Sequence, residues 1–234
     1  MRASEIGQYK DWQVIHRFVL YGSQPSFLDI KDFTVEQGKK YKYALQQYNN
    51  DTKLVSDKIF SNEILVNFED CFLYDGKRQL KIKYDPKISS FKENLLETKT
   101  NTLGGQYPFI FRNGKVSYKE FPIAGTISYL MDEENLFLSE DDCGLTEKTT
   151  NLTGENIAAE RVFKMKVLEW LTNGEPKLFR SPTEGNFIVR LMNSSLAPND
   201  TVGRMLHTFT STAYEIADFN YSTLGEMGFI KIDD

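Results

Sequence analysis

The sequence predicts a mainly β protein, an antiparallel β-barrel or sandwich that carries one long α-helix. Three observations predict it. The 234 residues include 17 Phe and 12 Tyr, and aromatic side chains suit the pleated, half-buried surface of a strand. Short runs of alternating apolar and polar residues recur along the chain, bounded by Asp-Gly, Asn-Gly and Pro-containing turn chemistry. Only one segment, residues 155–172, repeats its apolar residues at helical spacing.

In chain order, "WQVIHRFVLY" (12–21) has strand-like composition. In "DFTVEQGKKYKYALQQYN" (32–49) a turn at Gly38 precedes Tyr41, Tyr43 and Leu45 on one face and Lys40, Lys42 and Ala44 on the other. "EILVNFEDCFLY" (63–74) alternates again and meets "QLKIKY" through Asp75-Gly76, a type I′ hairpin signature in which both central residues take φ > 0. "PFIFRNGKVSYKEF" (108–121) has the same grammar, with Asn113-Gly114 expected as the turn of a hairpin. "PIAGTISYLM" (122–131) adds a strand in which Gly125 marks a bulge or a close backbone approach.

Residues 139–154 are polar, acidic and glycine-bearing, the composition of a loop or linker. The helix follows, with Thr153 as N-cap and Ala159, Phe163, Val167 and Trp170 on its apolar arc. Gly174 is placed for a left-handed C-cap and Pro176 for a stop. "KLFRSPTEGNFIVRLMN" (177–193) reads as strand, turn and strand, with Pro182 and Gly185 as turn formers. Phe187, Val189 and Leu191 share one face, and Ile188, Arg190 and Met192 the other. After Pro-Asn-Asp at 198–200, Thr208, Thr210 and Thr212 alternate with Phe209, Ser211 and Ala213 in a last strand. The expected division is a β segment over 1–62, a barrel or sandwich domain over 63–222 and a C-terminal tail over 223–234.

Net charge is −5 and the cationic residues are scattered, so no electrostatic footprint for nucleic acid is expected. "MRASEIGQYKDWQ" lacks the apolar core of a signal peptide, and no apolar run approaches the roughly 20 residues that cross a bilayer. Synthesis and folding in a cytoplasm, with no membrane partner, are expected. Asn-x-Ser/Thr triplets such as 151–153 carry no meaning without a secretory route. Cys71 and Cys143 are read as two unpaired reduced thiols.

No enzyme, cofactor or metal site is expected. Ser181 as a nucleophile needs a base, and the chain has only His16 and His207. In a turn before Pro182 its hydroxyl bonds nearby backbone instead, and both Ser181 and Glu184 are expected to be chemically dispensable, while the turn and its strand are not. His207 reads as a structural histidine within a strand. "LGGQYP" (103–108) lacks the Lys-Ser/Thr of a phosphate-binding loop and precedes a strand. "MDEEN" (131–135) and "SEDDCG" (139–144) lack EF-hand spacing. Glu133 or Glu134 with Asp141 imitates a glycosidase pair only by chance, since 33 residues are Asp or Glu. Trp170 lies on the apolar arc of the helix, as a core residue does.

Two resemblances add to this reading. The Tyr-x-Tyr strand after an acidic, glycine-bearing turn resembles the later strands of a fibronectin type III sandwich, over residues 12–60 alone; this implies a half-domain or a shortened module. The second rests on "TLGGQYPF" (102–109), "FRNG" (111–114) and "FPIAG" (121–125), together with the stretch from Trp170 to Tyr221. These resemble tailed-bacteriophage virion structural proteins, and the two blocks lie within 67–221. The order of strand, hairpin, helix and antiparallel pair is similar to distal-tail and tail-hub barrel domains. That resemblance implies a virion tail or baseplate component assembled in the host cytoplasm, a homo-oligomeric ring or adaptor whose partners are other phage tail proteins. The alternative is a receptor- or carbohydrate-binding β-module on a virion surface.

Overall fold

The computed structural model describes residues 1–18, 30–82, 84–100, 108–127, 154–198 and 206–230. The described residues are mainly antiparallel strand with one long helix, as the composition implies, and their strands do not close into a barrel. Two compact units form, each discontinuous in sequence. One is Met1–Leu80 with Leu178–Phe187 and Asp218–Asp234; the other is Lys81–Lys177 with Ile188–Ala217.

In the first unit, β2 (Lys40–Leu45) is the centre of a small sheet. β1 (Arg2–Ser4) pairs with it from Arg2↔Tyr43 to Ser4↔Tyr41, while β3 (Ile59–Phe60) meets Ala44 and Leu45 and β4 (Ile64–Leu65) meets Lys40 and Tyr41. Tyr41 and Ala44 are buried, but Leu45 is exposed. The expected alternation therefore fails at the end of β2, where its partner changes from β4 to β3.

The expected strand over 12–21 reduces, in its described part, to a single bridge between Gln13 and Arg2. The reason lies in the next carbonyl: Val14 O accepts from Tyr221 Oη at 2.9 Å, and no ladder continues. The run 63–74 is likewise interrupted. Val66 and Phe68 spend their amides on Lys39 O and Gln37 Oε1, and β5 starts only at Cys71 (Cys71–Tyr74).

β5 pairs on one side with β10 (Lys177–Ser181), Leu178 facing Tyr74 and Arg180 facing Phe72, and on the other with β6 (Gln79–Ile82). The β5–β6 hairpin exists, but its turn sits one residue later than expected. Asp75 N donates to Arg78 O at 3.1 Å, which leaves Gly76 and Lys77 as the two loop residues. Of Asp75, Gly76 and Lys77, Gly76 alone has positive φ (+93°), the II′ pattern rather than I′. The Asp75 carboxylate accepts from the amides of Lys77 and Arg78, which fixes the loop from inside. A short helix, α2 (Tyr221–Glu226), is capped by Asn220 and ends in a Schellman arrangement, Phe229 N donating to Leu224 O and Gly228 N to Gly225 O. Leu224, Phe229 and Ile230 join Leu73, Leu178 and Phe179 among the buried side chains of this unit.

The second unit hangs on β9 (Phe109–Ile127), a strand of 19 residues. β12 (His207–Ala217) pairs with its C-terminal half from Glu120↔Tyr214 to Ile127↔His207, and β11 (Gly185–Pro198) pairs with β12. β7 (Tyr84–Ile88) and β8 (Lys92–Thr100) pair with β9 in succession. The expected hairpin turn at Asn113-Gly114 is thus a correction: 108–121 does not fold back on itself. The partner of 109–112 is β8. From Arg112 to Ser117 β9 takes five steps while β8 takes two, from Glu97 to Leu95. Residues 113–116 hold this bulge, and Gly114 takes φ +110° within it. The close approach expected at Gly125 is present, since a Cβ there would lie 2.1 Å from Ile82 Cγ2.

The long helix α1 (Gly154–Thr172) lies where its periodicity placed it, with Phe163, Val167, Trp170 and Leu171 buried and Gly174 at φ +73°. Its expected N-cap, Thr153, lies outside the described residues. On β11, Phe187, Val189 and Leu191 are buried as expected, but so is Ile188. A register shift between Ile188 and Val189 puts both inside. Phe209, Ser211 and Ala213 form the buried face of β12, with the threonines opposite. No described helix is long and apolar enough to cross a membrane.

The turn at Gly76 gives the first test. A Cβ there would stand 2.5 Å from Gly228 O and would also have to sit at positive φ, whereas at Gly185 (φ +92°) nothing lies within 4 Å. Gly185→Ala is expected to cost about 1 kcal/mol, the conformational term alone. Gly76→Ala is expected to cost on the order of 3 kcal/mol, because the carbonyl clash adds to it. Urea unfolding of the two variants measures the difference.

Candidate interaction surface

β9 outruns its neighbour. Pairing with β12 ends at Glu120, with Lys119 N donating to the Glu215 carboxylate at 3.1 Å. Among the described residues, 109–118 continue with β8 alone beside them, a two-stranded arm about 20 Å long at the usual rise, since the bulge takes up three of its residues. Its side chains are solvated on both faces: Phe109, Ile110, Phe111 and Val116 are 52–65% exposed. Cross-strand partners sort the faces. Phe109 and Phe111 stack at 6.2 Å between ring centroids and lie opposite Thr100 and Thr98, an uncharged face. Ile110 and Arg112 lie opposite Lys99 and Glu97, a charged one. At the root, Asn94 and Lys92 meet Glu120, and Ser117 meets Glu93.

The first unit has its own exposed apolar stretch, Leu45, Ile59, Phe60, Ile64 and Leu65, on and beside the edge of β2. It also contains a cleft of about 410 Å³ lined by Arg2, Thr34, Glu36, Lys39 and Tyr41, among others. The cations of that cleft already have partners. Lys39 Nζ lies 2.6 Å from Glu36, and Arg2 is held behind the wall by Asp32 at 3.0 Å.

That ion pair is the centre of a buried polar cluster. Arg2 and Asp32 are each 7% exposed at the side chain. Arg2 also donates to Thr34 Oγ1 at 2.7 Å, and Asp32 accepts from Thr34 N, Thr34 Oγ1 and Tyr43 Oη. Arg180 is buried with its guanidinium over Phe68 and Phe72, at 4.3 and 5.7 Å from their centroids. Burial pulls its pKa down to about 10 against the opposing field of Asp32 and two tyrosines. Burial pushes Tyr43 and Tyr41 up, and pushes Tyr74 up to about 12.

The residues weighed as chemical sites are dispersed. Ser181 is fully buried, not at an exposed turn, and its Oγ accepts from the amides of Thr183 and Glu184 at 3.3 and 3.2 Å. That is the backbone bonding expected of it, made from a buried position. Ser181 also hydrogen-bonds Cys71, a buried free thiol whose pKa burial pushes up. His207 is buried on β12 between Ile127 and Pro198, and His16 lies beside Phe18. Trp170 is buried, with Lys177 Nζ 4.5 Å from its ring centroid and bonded to Asn173 Oδ1 at 2.8 Å. Residues 103–107, 131–135 and 139–144, with Cys143, Glu133, Glu134 and Asp141, lie outside the described residues. Among the described residues no group of three His, Cys, Asp or Glu is placed to hold a metal ion.

No protein-family model and no curated protein matches the sequence. Among solved structures, a chain in the tail of an empty GTA particle of C6 symmetry is similar over 64% of this chain and 92% of that one. The identity is 10% and the TM-score 0.32.

Two expected outcomes follow from the buried cluster. Asp32→Ala leaves Arg2 and its hydroxyl partners without their acceptor, and is expected to cost about 3–5 kcal/mol in chemical denaturation. Alkaline pH acts through Tyr74. Its folded pKa lies above the unfolded value of 10.0, so its contribution is whole below pH 10 and is lost as pH rises towards 12. The stability of the native chain relative to Tyr74→Phe is therefore expected to be flat below pH 10 and to fall above it.

Proposed function

We propose that the chain is a non-enzymatic structural protein of a phage virion tail or baseplate, forming an oligomeric ring or adaptor between the tail tube and distal components. The arm carries this reading. A solvated two-stranded ribbon with exposed aromatic and aliphatic side chains is marginal by itself in water. Apolar surface of this kind marks a place where another protein sits. The sequence blocks at 102–125 and 170–221, with their likeness to phage tail proteins, name the class of assembly. Ser181 Oγ is committed to its own turn and Trp170 is buried beside Lys177, which supports the structural reading over Ser181 as a nucleophile or Trp170 as a sugar platform.

The test is the mass of the purified particle in solution, by sedimentation or native mass spectrometry. A defined multiple of the 27.0 kDa chain is expected. A monomer at every accessible concentration would count against the ring.

A further inference from the structure

We propose that β9, along residues 109–118, is a docking edge for an extended acidic segment of another protein, which adds to the arm as a third strand. The edge comes first. β8 takes one side of this stretch and β12 stops at Glu120, so the backbone groups on the other side meet no strand among the described residues. Such an edge pairs with an extended chain whose side chains suit it. Charge selects that chain. Residues 109–119 include Arg112, Lys115 and Lys119 and no acidic residue, and all three cations are exposed. On β8 the charges cancel, Lys92 and Lys99 against Glu93 and Glu97. The positive sign therefore belongs to the strand with the open edge. It repels a second β9 laid against it and admits a strand of opposite sign. The chain itself makes one such contact. Where β12 departs, Lys119 N donates to the Glu215 carboxylate and not to a backbone carbonyl. A carboxylate thus already serves as acceptor at the root of this edge.

The two faces of the arm set the pattern of the incoming strand. Side chains alternate across a strand, so one set of its residues lies beside Phe109 and Phe111 and the other beside Ile110 and Arg112. The first set is apolar, because it covers two rings that are 58% and 52% exposed. The second is acidic, with Arg112 as its cross-strand counter-charge. The partner segment therefore alternates apolar residues with Asp or Glu. This inference goes beyond the ring reading and does not depend on it, since a single chain presents the whole edge.

The test uses the full chain and end-blocked peptides of about six residues, the usual strand length. At low ionic strength, where exposed charges act, alternating Val and Glu is expected to bind at least about tenfold more tightly than alternating Val and Lys. The same acidic peptide is expected to slow amide hydrogen exchange within 109–118. With Pro in place of a central Val it keeps its charge but loses a ladder donor, and is expected to bind at least about tenfold more weakly. Arg112→Glu/Lys115→Glu is expected to reverse the preference between the Glu and Lys peptides, with circular dichroism and melting unchanged. Equal binding of the two peptides, or no binding of the Glu peptide, would overturn the acidic partner. Equal binding of the Pro peptide, or protection confined to residues outside 109–118, would overturn strand addition. The mass of the particle is read separately: a native chain that forms rings yet ignores the Glu peptide removes this inference alone, and a monomer that binds it removes the ring reading alone.

Discussion

The second unit depends on one constraint: β9 is longer than anything that pairs with it. Nineteen residues in one strand give β12, β7 and β8 a common rail. Where β12 lies alongside, Phe121, Ile123 and Ile127 point into the core and are at most 2% exposed. Where β12 stops, the same strand continues beside β8, and Phe109, Ile110, Phe111 and Val116 remain in water. Stability and exposure are thus two stretches of one element, divided at Glu120.

The bulge at 113–116 lets those stretches differ. Three extra residues on β9 shift which side chains share a face with β8, so the alternation that serves the core is not carried mechanically into the arm. Beyond the bulge the uncharged pair Phe109 and Phe111 stands together on one side. A regular strand would have continued the pattern of the core face.

Much of this was legible in the sequence where the signal is local. The helix over 154–172, its glycine stop, the alternation on β12 and the close approach at Gly125 all rest on periodicity or on the absence of a Cβ, and those act within a few residues. The failures come from pairing. Asn-Gly at 113–114 has ideal hairpin chemistry, but β8 pairs with β9 on both sides of it, with eight residues in register, and leaves it in a bulge. The run at 12–21 is apolar enough for a strand, yet its carbonyl at Val14 is taken by Tyr221, 207 residues away. Ser181 looked like an exposed turn residue because Pro182 and Gly185 flank it; its burial is decided by β5 and the rest of its unit. The buried Arg2–Asp32 pair left no mark in the sequence, since 30 residues separate partners that no motif connects.

The first unit uses charge differently from the arm. Arg2 and Asp32 are dehydrated together, and each is held by further hydrogen bonds, so breaking the pair costs more than forming it gained. β1 lies on β2 with Arg2 over Tyr41 and paired to Asp32, so the cluster ties the pairing of these strands to the segment that carries Asp32. Arg180, lying over two phenylalanines with its pKa drawn down by burial, adds a second buried cation in the opposing field of Asp32, Tyr41 and Tyr43. On the arm the charges stay hydrated and unpaired with any core. Buried charge therefore fixes the internal geometry of the first unit, whereas the charges of the arm remain in water.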